Sequence, residues 1–177
     1  MRISKKVMVG NVPVGGGSPI TVQSMLNVPV NRISDGVHQA KDLADAGCEI
    51  LRAAIPDADS VALIPAIKRE VSVPLVADIH FDYRLALKAA QAGADAIRIN
   101  PGNIGSDDRV KAVADECLRR HIPIRIGVNS GSVQKDILAK YGGPTPRALA
   151  ESALLNASLL EKFGFSSFLF NQIFLIY

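Results

Sequence analysis

Three arginines occupy comparable places in three short apolar segments of this chain. Arg52 lies in ILRAAI, Arg98 in IRIN and Arg125 in IRIGVN. Side chains alternate along a strand and the flanking residues are apolar, so the three guanidinium groups should point into one interior space at similar height. A buried guanidinium keeps its charge and pairs bidentately with phosphate. The spacing therefore predicts a site for a strongly anionic ligand.

Two other interpretations of the charged residues stay open. In the first, Asp78, Asp82 and Glu49 neutralise the arginines in a buried ion network. In the second, the segment DIHFD places Asp78, His80 and Asp82 as divalent-metal ligands at a strand end. The arginines oppose a cation and no further histidine lies at a neighbouring strand tip. Hydrogen bonding to the ligand or proton transfer is therefore the preferred role for Asp78 and His80.

Amide and hydroxyl side chains near the strand ends extend the predicted binding site. Asn100 and Asn129 have the same parity as the arginines of their strands and would donate hydrogen bonds to ligand oxygens. Gln23 and Ser24, at the end of the first predicted strand, are weaker candidates of the same kind. No residue is assigned a catalytic role or a role as metal ligand.

A repeated unit of short strand, polar tip and Ala- and Leu-rich helix must position these side chains. This alternation predicts a parallel α/β sheet, and the lack of a dinucleotide-binding glycine pattern after the first strand favours a (β/α)8 TIM barrel. Five or six strands cannot close such a barrel, so a partial barrel is predicted. The strands are predicted at 20–25, 49–55, 74–79, 96–100 and 123–128, with a possible sixth at 167–170.

The predicted helices cover 34–46, 59–71, 83–92, 107–121, 134–140 and 146–163. Before the first unit, two Val-Xaa-Val segments flank Gly10 and Asn11 and predict a short hairpin. The glycine run at 15–17 lacks the Lys-Ser/Thr of a phosphate-binding loop and is interpreted as a flexible turn. Residues 1–165 are predicted to form the incomplete barrel, followed by a divergent apolar tail at 166–177.

The composition excludes several classes of partner. The chain has 177 residues, 48% of them hydrophobic, and a formal net charge of +3. Its basic residues are scattered and aromatic residues are few, so a nucleic-acid surface is not expected. No apolar run approaches the roughly 20 residues that span a bilayer, so a cytoplasmic protein is expected. Cys48 and Cys117 are too few for a metal motif and are interpreted as buried apolar residues.

Four long motifs resemble the N-terminal part of the 4-hydroxy-3-methylbut-2-enyl diphosphate synthases. The resemblance covers about residues 6–165. It rests on VGNVPVGGGSPITVQSM, PLVADIHFDYRLALKAAQAGADAIRINPGNIG, IPIRIGVNSGS and YGGPTPRALAESAL. It implies an enzyme of isoprenoid biosynthesis by the methylerythritol phosphate route, which reductively opens 2-C-methyl-D-erythritol 2,4-cyclodiphosphate. The family's TIM barrel precedes a domain that carries a [4Fe-4S] cluster, in a homodimer supplied with electrons by flavodoxin or ferredoxin.

The same resemblance implies roles for individual residues. The cyclodiphosphate would be held by arginines 52, 98 and 125 with His80, Asn100 and Asn129, supported by Asp78. The cluster ligands of the family, three cysteines and a glutamate, belong to the C-terminal domain and have no counterpart in this chain. The sequence departs from the family in the loop 26–29, which replaces T-N-T, and after residue 165, where a K-V-S-x-K-A-S pattern is missing.

Three other functions remain as alternatives. The chain could be a cluster-free module that binds a phosphorylated ligand, or an inactive truncated product. It could also be a different barrel enzyme, such as a dihydropteroate-synthase-like transferase. The expectation is that this chain carries the substrate-binding part of the synthase and does not turn over alone, since it lacks a source of electrons.

Overall fold

A curled parallel sheet of six strands organises the chain, in a computed structural model that describes residues 4–172. The strands follow one another across the sheet in the order β3 to β8, each paired in parallel with the next. This order is that of a TIM barrel, whose strands are added consecutively. The partial barrel predicted from the sequence is confirmed. Its strands are β3 Gln23–Met25, β4 Ile50–Ala54, β5 Leu75–Asp78, β6 Ala96–Ile99, β7 Ile124–Val128 and β8 Phe168–Gln172.

Helices connect successive strands and cover one face of the sheet. Along this face Ile97 and Ile99 pack in the main core with helical residues such as Ala89 and Val113. The opposite face buries Val76 and Ala96. Side chains therefore alternate between the two faces, as predicted, and the second face also has a small apolar layer, which was not predicted. The helices are α1 Ile33–Asp45, α2 Leu63–Glu70, α3 Tyr83–Gln91, α4 Pro101–Ile104, α5 Asp107–Arg120, α6 Lys135–Tyr141 and α7 Pro146–Lys162.

The predicted hairpin closes one end of the sheet interior. Strands β1 (Val7–Val9) and β2 (Val12–Val14) pair antiparallel around a turn in which Gly10 has φ of 56°. A Cβ at Gly10 would lie 2.9 Å from Cγ of Pro74, so this position favours glycine on two counts. Val9 is fully buried against Ile50 and its neighbours in the second apolar layer. The hairpin therefore contributes to the core.

Replacing Val9 with alanine should lower the free energy of unfolding by about 1–3 kcal/mol, because it removes buried methyl groups and leaves a cavity. Met8 on the same strand faces outward and is 46% exposed, so Met8→Ala should change stability by less than about 0.5 kcal/mol. Urea unfolding followed by circular dichroism measures both. Equal effects of the two substitutions would show that the hairpin does not contribute to the core.

Several predicted boundaries differ from those observed. The first strand begins at Gln23 rather than at residue 20, and Ile20 is 97% exposed outside the sheet. The helix predicted over 59–71 is divided into a 3₁₀ turn, Ser60–Ala62, and α2. The short helix α4 is not among the predicted helices; it forms because Pro101 suits a first helical position and Asn100 caps it.

The start of the predicted tail belongs to the sheet. Strand β8 pairs with β7 from Phe168 opposite Ile124 onward, which confirms the possible sixth strand. Phe168 packs against the main core, whereas Phe170 is 50% exposed. The rest of the tail, 173–177, lies outside the described residues.

Across residues 4–172, every helix is too short or too polar to cross a bilayer.

Candidate functional site

Two of the three arginines share a single buried carboxylate. Asp78, at the end of β5, is fully buried. Its Oδ2 accepts hydrogen bonds from Nη2 of Arg52 at 2.6 Å and from Nε of Arg52 at 3.1 Å, and its Oδ1 accepts one from Nη1 of Arg98 at 2.9 Å. In the ladder, Asp78 is opposite Arg98 and Arg98 is opposite Arg125, while Arg52 lies opposite Val76. The strands β4 to β7 therefore bring the three guanidinium groups together.

Of these three arginines, Arg125 is the one that has no carboxylate partner among the described residues. Its Nη1 donates a hydrogen bond to Oε1 of Gln23, on the far edge strand β3. Burial lowers the pKa of Arg125 from its ordinary value, and repulsion by Arg52 and Arg98 lowers it further. The group stays cationic, because an arginine does not deprotonate in proteins. Arg125 is thus a desolvated cation that repels its neighbours.

The interior carries a surplus of positive charge. Among the described residues, three guanidinium groups face one carboxylate, that of Asp78. The alternative interpretation, a buried ion network that includes Asp82 and Glu49, is wrong for these two residues. The Asp82 carboxylate accepts from the backbone N of Arg84 at 2.9 Å as the cap of α3, and Glu49 accepts from the backbone N of Val22 at 2.8 Å. A buried site with uncompensated positive charge is suited to an anion.

His80 lies at the rim of this cluster. Its Nε2 is 3.6 Å from Oδ2 of Asp78, and its side chain is 46% exposed. It also borders a cavity of about 200 Å³ whose lining is mostly apolar. The His80 side chain is therefore open to solvent while its Nε2 lies close to Asp78. The cavity is lined by Ile55, Pro56, His80, Phe81, Asp82 and Leu85.

The two predicted asparagines are helix caps with spare donors. Oδ1 of Asn100 accepts from the backbone N of Gly102 at 3.1 Å, and Oδ1 of Asn129 accepts from that of Gly131 at 3.1 Å. The sequence did not indicate this capping role. Their amide nitrogens remain available, and Nδ2 of the buried Asn100 has no partner among the described residues. Such a donor is the kind of group that a bound oxygen would satisfy.

The remaining predicted residues are placed on opposite faces of β3. Gln23 contacts Arg125 and so joins the cluster. Ser24 lies opposite Leu51 in the ladder, and Leu51 packs in the core under the helices. Ser24 therefore has the parity of the helix-covered face, away from the arginines.

The cysteines of this chain do not fit the role of cluster ligands. Cys48 is buried and its Sγ donates to the backbone O of Ile50 at 3.1 Å. Burial, with a smaller contribution from Glu116, raises the pKa of the Cys117 thiol to about 12, so the thiolate that a metal requires is disfavoured. Within residues 4–172 no three His, Cys, Asp or Glu side chains are grouped so as to hold a metal ion.

One residue of the cluster, Gly127, was not among the predicted site residues. The Arg98 guanidinium lies against it, in the space that a side chain at Gly127 would fill. The glycine within IRIGV was a usable signal, since glycine inside a strand marks close approach of another group.

Solved structures with the same fold come from other enzyme classes. The chain superposes on a dihydropteroate synthase from Vibrio fischeri with a TM-score of 0.66 and 12% identity, covering 94% of this chain and 66% of that one. A phospho-2-dehydro-3-deoxyheptonate aldolase from Thermotoga maritima gives a TM-score of 0.64 at 15% identity, covering 95% of this chain and 45% of that one. Identities this low support the barrel fold and nothing finer.

Sequence relatives are much more similar. The chain is 55% identical over 167 residues to 4-hydroxy-3-methylbut-2-en-1-yl diphosphate synthase (flavodoxin) from Pseudomonas paraeruginosa, and equally to that of Pseudomonas putida strain F1. Each alignment covers 94% of this chain and 45% of the relative, so the chain spans about half the length of the curated relatives it matches. The sequence model of the GcpE TIM-barrel domain matches residues 4–172. The chain therefore belongs to the GcpE TIM-barrel family.

Proposed function

We propose that this chain is the substrate-binding barrel of a 4-hydroxy-3-methylbut-2-en-1-yl diphosphate synthase, and that the arginine cluster holds 2-C-methyl-D-erythritol 2,4-cyclodiphosphate. The observation that carries the proposal is a set of three guanidinium groups, buried at Arg98 and Arg125 and partly buried at Arg52, that face one carboxylate. A cyclic diphosphate has two phosphoryl groups and so supplies the missing negative charge. Relatives with that name, 55% identical, support the choice among anions.

Each residue of the cluster has a part in this proposal. Arg125 is the main hydrogen-bond donor to the phosphoryl groups, because its guanidinium is bonded to Gln23 and not to a carboxylate. Arg52 and Arg98 are held in place by Asp78 and offer their remaining N–H groups. Asn100 adds its unpartnered amide donor.

The rim residues and the edge strand contribute less to binding. His80 hydrogen-bonds the ligand or transfers a proton at the rim, and Asn129 donates from the adjacent loop. Gln23 orients Arg125 through its carbonyl oxygen. Ser24 has the parity of the helix-covered face, so no ligand contact is proposed for it.

The redox part of the proposal lies outside this chain. A [4Fe-4S] cluster supplies the electrons for ring opening in a complete enzyme, and we assign its ligands to the part of the relatives that this chain does not span. Flavodoxin, which the names of the relatives contain, is the proposed electron donor. A homodimer and a cytoplasmic location complete the proposal. This chain's own residues bind and orient the substrate.

Isothermal titration of the purified chain with the cyclodiphosphate tests the proposal, after circular dichroism has shown a folded protein. We expect saturable binding at one site. Sulfate at equal ionic strength is the control and should not compete at similar concentration. A folded chain that does not bind the cyclodiphosphate would refute the proposal. Equal affinity for inorganic pyrophosphate would instead favour the alternative of a general module for phosphorylated ligands.

A further inference from the structure

The interior face of β7 has a gap at Gly127, which has no side chain. Gly127 lies two residues beyond Arg125 on the same strand and so shares its parity. Its backbone is an ordinary strand conformation, with φ outside the left-handed region. The backbone conformation therefore does not require glycine at this position.

The gap is filled by the guanidinium of Arg98 from the neighbouring strand β6. A Cβ built on Gly127 would lie 2.2 Å from Nη2, 2.3 Å from Nε and 2.4 Å from Cζ of Arg98. Contacts between a carbon and these atoms are normally nearer 3.5 Å. Any side chain at this position would therefore have to displace the guanidinium by an ångström or more.

The Arg98 guanidinium cannot move away from Gly127 easily, because it is hydrogen-bonded to Asp78. Its Nη1 donates to Oδ1 of Asp78 at 2.9 Å, on the strand on the opposite side of β6. The residue is 6% exposed, and its Nε has no hydrogen-bond partner among the described residues. The guanidinium thus extends across three adjacent strands, from Asp78 on β5 to Gly127 on β7.

We infer that Gly127 is a positioning residue that fixes where the Arg98 guanidinium lies, and thereby the shape of the anion site. Its effect on ligand binding depends on the proposed function, whereas its effect on the Arg98 side chain does not. A Cβ at this position would push the guanidinium away from β7 and break its register with Asp78. The charge of the site would be unchanged, so only the geometry of Arg98 is altered.

A double-mutant cycle of G127A and R98A tests this inference. In titrations with the cyclodiphosphate, G127A should weaken binding by about tenfold or more, the scale of a lost hydrogen bond to a charged group. Added to R98A, it should cause no further loss, because no guanidinium remains to be displaced. Equal weakening by G127A in both backgrounds would overturn the inference, as would unchanged binding in the single variant.

The same cycle read by thermal unfolding needs no ligand. G127A should lower Tm in the parent chain but not in the R98A background, where the space is free. A G127A variant that fails to fold while the double variant folds gives the same support. A matched control is G131A, whose Cβ would meet nothing closer than 3.7 Å and should leave Tm unchanged. An equal fall in Tm in both backgrounds would refute the positioning role even if the parent chain binds no cyclodiphosphate.

Discussion

Replacing Asp78 with asparagine should lower the free energy of unfolding by about 3–5 kcal/mol, the usual cost of removing one partner from a buried ion pair. Asp78 is fully buried and is the carboxylate that holds Arg52 and Arg98. Asparagine keeps the volume but removes the negative charge, so three guanidinium groups would face one another uncompensated. Chemical unfolding in urea, with circular dichroism as readout, measures the loss.

Asp82→Asn is the matched control, because it makes the same chemical change four residues further along the chain. Asp82 is exposed and caps α3 through a hydrogen bond to the backbone N of Arg84. Asparagine is as good a helix cap as aspartate, so a change within about 0.5 kcal/mol is expected. If D78N were as stable as D82N, the arginines would not depend on Asp78 for their place in the interior.

Replacing Arg125 with methionine should weaken cyclodiphosphate binding by about 10- to 150-fold, the equivalent of about 1.5–3 kcal/mol for a hydrogen bond to a charged group. The same substitution should leave the free energy of unfolding unchanged or raise it. Burial and the neighbouring arginines already disfavour the charge on Arg125, as the lowered pKa indicates. Methionine keeps much of the side-chain volume without that charge. Titration calorimetry and urea unfolding of one preparation give both quantities.

Arg147→Met, at the exposed start of α7, is the control for loss of a positive charge at a distance from the cluster. It should alter neither the affinity nor the stability measurably. An Arg125→Met variant that bound as tightly as the parent would remove Arg125 from the site. A variant that lost several kcal/mol of stability would show that Arg125 is structural instead.

The free energy of unfolding is expected to fall when Asp78 is replaced and not to fall when Arg125 is replaced, because the two charges have different effects on the fold. Asp78 offsets part of the arginine charge within the folded chain, so its loss should destabilise the fold. Arg125 is left without such compensation, and an anionic ligand would supply it. A ligand that compensates this charge in the folded chain alone would stabilise the folded state when it binds.

Much of the fold could be predicted because its signals are local. Apolar alternation in segments such as IRIN, and helical periodicity between them, placed five strands and most helices within a few residues of those observed. The weakest boundaries were those decided by distant contacts. Ile20 is as β-prone as its neighbours, yet the ladder with β4 begins at Gln23. Helix α4 depends on the Asn100 cap, which a turn-forming sequence does not distinguish from a simple turn.

By itself, the sequence determined which side chains face the sheet interior, since strand parity is set by the backbone and requires no knowledge of neighbours. It thereby brought Arg52, Arg98 and Arg125 to one face. Only the tertiary structure decided how their charges are distributed, because ladder register and side-chain direction depend on the adjacent strands. It paired two arginines with Asp78, left Arg125 with Gln23, and set Arg98 against Gly127. Hydrogen bonds between strands far apart in the chain fix these choices, and no local pattern encodes them.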